Sequence, residues 1–184
     1  MRLFFAVPVE PAASAALSAC CARLQTQRGW RWVAERNWHV TLAFLGETDG
    51  RMVTPLSELG DRVAANSKAG AMQLNSLQWW PSPSRPRLLA AVADEAGPLT
   101  ALRRELAAGL RELGVDFDGK PLRPHVTLLR LERGVLPDGF DLPAATIDMP
   151  VESIALYRSE RERGETRYRP LAEWDLPQPD PFLR

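Results

Sequence analysis

His39-Val-Thr-Leu42 and His125-Val-Thr-Leu128 are the same four residues written twice. The copies stand 86 residues apart in a chain of 184, and they contain both of its histidines. Each opens a mostly apolar run, HVTLAFLG in the first half and HVTLLRL in the second, and a helical segment precedes each. Such runs read as strands. Side chains alternate faces along a strand, so His39 and Thr41 share one face while Val40 and Leu42 share the other; His125, Thr127, Val126 and Leu128 divide in the same way. The apolar pair can be buried against helices, which leaves the His/Thr pair free to line a cleft. A repeat at half-chain spacing suggests a duplicated unit, one copy per lobe. Two lobes related by a pseudo-twofold would turn these pairs toward each other.

The rest of the chain fits around those two strands. Residues 3–9 read as a strand and residues 12–27 as a helix, with Ala16, Leu17, Cys20 and Leu24 at helical spacing. Residues 30–33 are extended, and residues 38–45 form a strand ended by Gly46. Met52, Leu56, Leu59 and Val63 recur every three or four positions and predict a helix over 51–66. Residues 71–80 and 87–93 read as a strand pair around the proline-punctuated loop 81–86. The clearest helix is 99–113, with Leu99, Leu102, Leu106, Leu110 and Leu113 on one face and Gly114 as its stop. Residues 125–131, 151–158 and 166–174 complete the strands, the last two joined by a charged turn containing Gly164. Several neighbouring strands are too closely joined for parallel crossovers. The expected fold is therefore α+β with largely antiparallel sheets.

Composition narrows the function. Hydrophobic residues make up 45% of the chain, enough for a core and too many for a disordered segment. Twenty-three basic residues balance 23 acidic ones, which argues against a protein that coats long nucleic acid by neutralising many phosphates. Residues 1–92 carry ten basic and six acidic side chains, and residues 93–184 thirteen and seventeen, an asymmetry too mild to define a binding tail. Arginine supplies 21 of the 23 cations. It suits bidentate phosphate recognition, although compositional habit is the simpler explanation of the bias. The only cysteines, Cys20 and Cys21, are adjacent, so neither a disulfide scaffold nor a Cys-rich zinc site can form. A reduced, cytoplasmic setting is expected. The apolar run at residues 3–9 is too short to span a membrane and meets Glu10 and Pro11, so neither an anchor nor a cleaved signal is expected.

Two imidazoles flanking one phosphate suit phosphodiester chemistry. A neutral histidine takes a proton from water and a protonated one gives a proton to the leaving oxygen. The imidazole pKa near neutrality makes both forms accessible. Threonine hydroxyls on the same face can donate to the non-bridging oxygens. No cofactor or metal is needed for this scheme. One His-x-Thr on a strand is commonplace, but two identical copies holding every histidine ask for more than structural duplication, which has no need of a polar face in both.

The paired motifs and their flanks resemble the two-histidine phosphoesterase superfamily, whose signature is a pair of His-x-Thr/Ser-x motifs. More narrowly they resemble its bacterial and archaeal RNA 2′,3′-cyclic phosphodiesterases, also called 2′-5′ RNA ligases. The resemblance covers nearly the whole chain. It runs through the opening MRLFFAVPV, RWVAERNWHVTLAFLGET with the first motif, RPRLLAAV, RPHVTLLRL with the second, and the closing ALYRSERERGETRYRPLAEWDL. It implies a single bilobal domain over residues 1–184, with one motif in each lobe and two antiparallel sheets flanked by helices around a central cleft. It further implies metal-independent hydrolysis of RNA 2′,3′-cyclic phosphates to 2′-phosphomonoesters, with 2′-5′ ligation as related reversible chemistry.

By the same resemblance His39 is the proton donor to the departing 3′ oxygen, His125 activates water, and Thr41 and Thr127 hold the phosphate. Arg130 matches a family arginine near the phosphate. It lies five residues after His125, so strict alternation puts it on the opposite face unless a bulge turns it back. Relatives often carry an aromatic near Ala90, and this chain does not. Phe44 and Tyr157 are candidates for base stacking, as are Trp38 and Phe5, although each is better explained as core. The arginines at 158, 161, 163, 167 and 169 stand beside Glu160, Glu162 and Glu165. They read as a solvated charged turn or, more sharply, as an RNA-backbone contact. RNA termini or small cyclic phosphates are the expected partners of a monomeric enzyme. An RNA-end-binding module without turnover is an alternative, as is a related enzyme acting on a cyclic nucleotide or ADP-ribose 1″,2″-cyclic phosphate.

Overall fold

The computed structural model describes residues 1–184 apart from 25, 138–140, 163 and 180–184. The first half runs β1 (Arg2–Pro8), α1 (Pro11–Cys21), β2 (Trp30–Trp32), β3 (His39–Glu47), α2 (Val53–Ala65), β4 (Gly70–Leu74), β5 (Ser76–Trp80) and β6 (Leu88–Val92). The second runs α3 (Leu99–Glu112), β7 (His125–Leu131), β8 (Ile147–Val151), β9 (Ser153–Glu162) and β10 (Glu165–Asp175). The fold is α+β with two antiparallel sheets, as expected. The larger has the order β10-β9-β1-β3-β7-β6-β5, with β2 also paired to β7; the smaller is β4-β8. None of the described helices is long and apolar enough to cross a membrane.

The central junction of the large sheet positions everything that follows. Strands β3 and β7 meet at one ladder pair, Val40 with Val126. Four strands, β10, β9, β1 and β3, lie on one side of it, and β7 with β6, β5 and β2 on the other. Val40, Leu42, Val126 and Leu128 are all buried, together with Leu56 and Leu59 of α2 and Leu99, Leu102, Leu106 and Leu110 of α3. α3 packs on β3, and α2 packs on β9 and β10. At the crossing of α2 and α3 the helices come close because Gly109 leaves space that Leu59 fills; a Cβ there would overlap it.

Three elements differ from the sequence expectation. The helix over 12–27 ends at Cys21, where bonds from the Arg23 and Leu24 amides to the Cys20 and Cys21 carbonyls tighten the last turn. Leu24 still reaches the core, so its spacing reflects burial without helix. The strand over 71–80 is two strands in different sheets, broken at Asn75. The Asn75 amide donates to the Val92 carbonyl and its side chain accepts from the Asp94 amide, so the chain changes partners at that residue. β8 is the partner of β4 and lies almost wholly before the strand expected over 151–158. Pro150 within it masks a strand that is tolerated beside a single neighbour.

Candidate active site

The antiparallel register about Val40 and Val126 makes His39 a cross-strand neighbour of Thr127, and Thr41 a neighbour of His125. The polar faces of the two motifs therefore interleave. They line one open cleft of about 390 Å³, together with Phe44, Arg130, Phe4 and Tyr168. His39, Thr41, His125, Thr127 and Arg130, far apart in sequence, are thus brought together.

Arg130 reaches that cleft through a bulge. β6 pairs Leu89 with Leu129 but Ala90 with Thr127, so Leu128 is the extra residue on β7. Leu128 and Leu129 are both buried, and from there the alternation is reset. β3 does the same: β1 pairs Phe5 with Ala43 but Ala6 with Thr41, which makes Leu42 the extra residue and turns Phe44 into the cleft. The bulges free two carbonyls from the ladder, and each finds a donor. Leu42 O accepts from Arg103 Nη1 of α3 at 2.5 Å, and Leu128 O accepts from the Val33 amide at 2.8 Å.

Both histidines are oriented by the same device. His39 Nδ1 lies 2.7 Å from the Asn37 carbonyl, and His125 Nδ1 lies 2.8 Å from the Arg123 carbonyl. A carbonyl can only accept, so Nδ1 carries the hydrogen and Nε2 is the nitrogen left to exchange a proton. His39 Nε2 sits 3.1 Å from Thr41 Oγ1. The surroundings differ. His39 lies among Phe4, 4.9 Å away between ring centroids, Tyr168, edge-on at 5.0 Å, and Tyr157 at 6.3 Å. His125 lies 4.5 Å from Trp80, whose face is covered by the Arg123 guanidinium at 4.3 Å. Burial pushes the His39 pKa down to about 4, against the raising effect of the Asn37 carbonyl and with help from the His125 and Arg130 charges. Burial also lowers that of His125, opposed by its own carbonyl and reinforced by the Arg123 and Arg130 charges. Both rings thus favour the neutral form. An anionic phosphate between them acts in the opposite sense and favours the imidazolium.

Three contributors escaped the sequence reading. Asn37 is buried, donates from Nδ2 to the Thr166 carbonyl at 2.8 Å and accepts the Tyr168 amide at 3.2 Å. It ties β10 to the backbone that holds His39. Tyr168 is thereby brought over His39, and only the pairing of β10 with β9 could have revealed it. Trp80 was within reach: in SLQWW, Leu77 and Trp79 are buried, so period-two alternation puts Trp80 on the other face, beside His125.

Of the stacking candidates, Phe5 and Trp38 are core, and Phe44 is 37% exposed in the cleft. Tyr157 stacks behind Phe4 at 5.3 Å and is not among the lining residues; burial, with Glu173 and Glu10 nearby, pushes its hydroxyl up to about 12. Ala90 is fully buried. The charged turn is the end of the β9–β10 hairpin, where Arg158 and Arg169 pair with Glu160, and Arg167 and Arg169 with Glu162. Arg163 lies outside the described residues. Among the described residues, no three His, Cys, Asp or Glu side chains gather as a metal site.

A model of the LigT-like phosphoesterase family matches this chain twice, over residues 7–90 and 89–168, one match containing each motif. The chain belongs to the LigT-like phosphoesterase family. A Geobacillus stearothermophilus relative named RNA 2′,3′-cyclic phosphodiesterase is 32% identical over 178 residues, covering 94% of this chain and 56% of its own length. The chain thus spans little more than half of that protein. A Thermus thermophilus protein of the same name is 34% identical over 185 residues, 96% of this chain and 90% of the relative. Among solved members of the LigT-like family, Escherichia coli LigT complexed with 3′-AMP superposes with a TM-score of 0.78 at 29% identity, covering 96% of this chain and 98% of that one.

Proposed function

We propose that this chain hydrolyses the 2′,3′-cyclic phosphate of RNA ends to a 2′-phosphomonoester. The observation that carries the reading is the interleaved His39, Thr127, Thr41 and His125 in one cleft, with each Nδ1 tied to a carbonyl and each Nε2 turned to the polar face. The names of the relatives support the choice of substrate. Water attacks phosphorus as its proton passes to Nε2 of His125. The bond from phosphorus to the 3′ oxygen breaks, and Nε2–H of His39 protonates that oxygen. Thr41 and Thr127 donate to the non-bridging oxygens, and Arg130 balances their charge. Both imidazoles start near neutral, and the bound anion itself draws the required proton onto His39. An RNA 5′-hydroxyl in place of water gives a 2′-5′ linkage by the same displacement, with hydrolysis the main direction in water.

The double family match and the cleft that both motifs line support one bilobal domain over residues 1–184, with one motif in each lobe. It acts as a monomer in the cytoplasm, where the free Cys20 and Cys21 stay reduced. The test is a screen of cyclic phosphates, with and without excess chelator, whose products are identified by phosphorus NMR. The 2′-phosphate is expected in both arms. A 3′-phosphate reverses the donor and base, loss with chelator brings in a metal, and binding of a 2′-phosphate end without turnover leaves a recognition module.

A further inference from the structure

Arg130 belongs to two concavities. It lines the catalytic cleft, and it also lines a neighbouring open groove of about 690 Å³ that includes Arg85, Arg87, Arg133, Glu132 and Leu136. The groove is built by the ends of two adjacent strands. β6 begins at Leu88, opposite Arg130, and the Leu131 amide donates to the Arg87 carbonyl at 2.9 Å, which holds the 81–87 loop against the turn after β7. Arg85, Arg87, Arg130 and Arg133 are exposed. Among the described residues lining the groove the one carboxylate, Glu132, is already engaged by Arg31 at 2.6 Å. Among the described residues, none of the four guanidinium groups has an ion pair or a side-chain hydrogen bond. Leu136 presents an apolar surface, 56% exposed, among them.

The opposite margin of the cleft offers a contrast. There Arg2 leads toward the β9–β10 hairpin, where Arg158, Arg167 and Arg169 are engaged by Glu160 and Glu162 and, among the described residues, Arg161 alone of the hairpin arginines is unpaired. Arginines already held by carboxylates have less to offer a phosphodiester than arginines with none. Unneutralised guanidinium groups around a shallow apolar surface suit single-stranded RNA, whose backbone needs cations and whose bases need a platform.

We infer that the Arg85–Arg87–Arg133 groove is the track along which the RNA strand leaves the catalytic cleft, with Arg130 bridging the terminal phosphate and the first internucleotide phosphates. The inference rests on the reading of the cleft as an RNA-end site. The zero net charge of the chain fits it, because a few local cations grip a terminus without attracting long nucleic acid at a distance.

The test compares two substrates and one binding measurement in the triple variant R85A/R87A/R133A, whose changes are all on exposed side chains and whose folding is checked by circular dichroism. For an octanucleotide ending in a 2′,3′-cyclic phosphate, KM is expected to rise roughly tenfold, because three phosphate contacts are lost. For 2′,3′-cyclic CMP, which has no strand to place in the groove, KM and kcat stay within about twofold on the same argument. Binding of a fluorescent octanucleotide ending in a 2′-phosphate is followed against salt. The slope of log affinity on log salt is expected to flatten by about 0.7 for each arginine lost. The hairpin variant R167A keeps wild-type RNA affinity. Equal losses on both substrates, an unchanged salt slope, or a larger loss in R167A than in the triple variant overturns the track. If the wild-type chain turns over neither substrate, the catalytic reading fails, and the salt-dependent binding still decides the track.

Discussion

The two motif strands share a backbone and differ in almost everything around it. In both, Nδ1 of the histidine meets the carbonyl two residues earlier, a bulge falls on the fourth motif residue, and the freed carbonyl is taken by a distant donor. Yet the bulge delivers Phe44 in one half and Arg130 in the other. His39 is enclosed by Phe4, Tyr157 and Tyr168, while His125 has Trp80 and the cation of Arg123. The lesson is that repeated geometry fixes where two imidazoles point, and the unrepeated neighbours decide what each of them does. In the proposed reaction, acid and base are a division of labour imposed on two copies of one part.

The strongest test removes the parts themselves. His39→Ala and His125→Ala are each expected to lower kcat on a 2′,3′-cyclic nucleotide by about 10²–10⁴-fold, the usual worth of a positioned acid or base. Full activity in either variant breaks the comparison at its root. The pH profile then distinguishes the copies. In kcat/KM, which reads the free enzyme, His125 must have lost its proton, and burial lowers its value below 6.5. His39 must keep its proton, and its value of about 4 is the lower of the two, so the working pair is a minor species and kcat/KM falls away below about 4 and above the His125 value. The optimum of kcat/KM is therefore expected on the acid side of 6.5. The falling limb of kcat should move to higher pH, because the bound anion favours the His39 imidazolium. A kcat/KM optimum above 7 would show that the enclosure of His39 does not depress its basicity.

Next in size is the residue that makes the two bulges unequal. Arg130→Ala is expected to lower kcat/KM by roughly 10- to 100-fold, the value of a charge-assisted bond to phosphate, and Arg130→Lys to restore part of it. No change in Arg130→Ala would mean that the β7 bulge serves the strand alone.

Much of this was legible beforehand, for identifiable reasons. The repeat exposed His39, Thr41, His125 and Thr127, because strand alternation is a rule with period two and both copies obey it over their first three residues. The same rule failed at Arg130 and Phe44, because a bulge adds one residue and leaves no local mark beyond two consecutive aliphatics, Leu42-Ala43 and Leu128-Leu129. The leucine ladder of α3 was readable from Leu99 to Leu110, since burial and helical period coincide there. β8 was not, because Pro150 contradicts strand propensity and only its lone neighbour β4 makes it acceptable. Asn37 and Tyr168 depend on a contact across about 130 residues, which no window of sequence contains.

That long contact yields a smaller, sharper prediction. Asn37→Ala leaves the Thr166 carbonyl and Tyr168 amide without their partner, at a cost of about 1–3 kcal/mol in stability by urea unfolding. The His39 bond uses the Asn37 backbone carbonyl and survives the substitution. The expected kinetic signature is thus a loss of enclosure, with the acid limb of kcat/KM moving up from about 4 as Tyr168 withdraws from His39. An unshifted limb at reduced stability would make Asn37 a fastener of the hairpin and nothing more.

The smallest effect belongs to Phe44, the counterpart of Arg130. Its ring is open to the cleft, but the Arg2 guanidinium already lies over it, 5.1 Å from the centroid, so one face is taken. A base stacked on a fully available aromatic is worth about 1–3 kcal/mol, and a partly occupied ring should give the lower end of that range. Phe44→Ala is therefore expected to raise KM for 2′,3′-cyclic AMP by roughly three- to fivefold. It should leave kcat unchanged, because the ring touches no group that moves a proton. A cyclic ribose phosphate lacking the base separates recognition from packing: it should be indifferent to the substitution. If both substrates suffer equally, the ring is a wall of the cleft and the base is read elsewhere, with Trp80 beside His125 the next aromatic to test. The two halves would then differ in the opposite sense: the second motif would supply both the cation and the base platform, and the first only the enclosed imidazole.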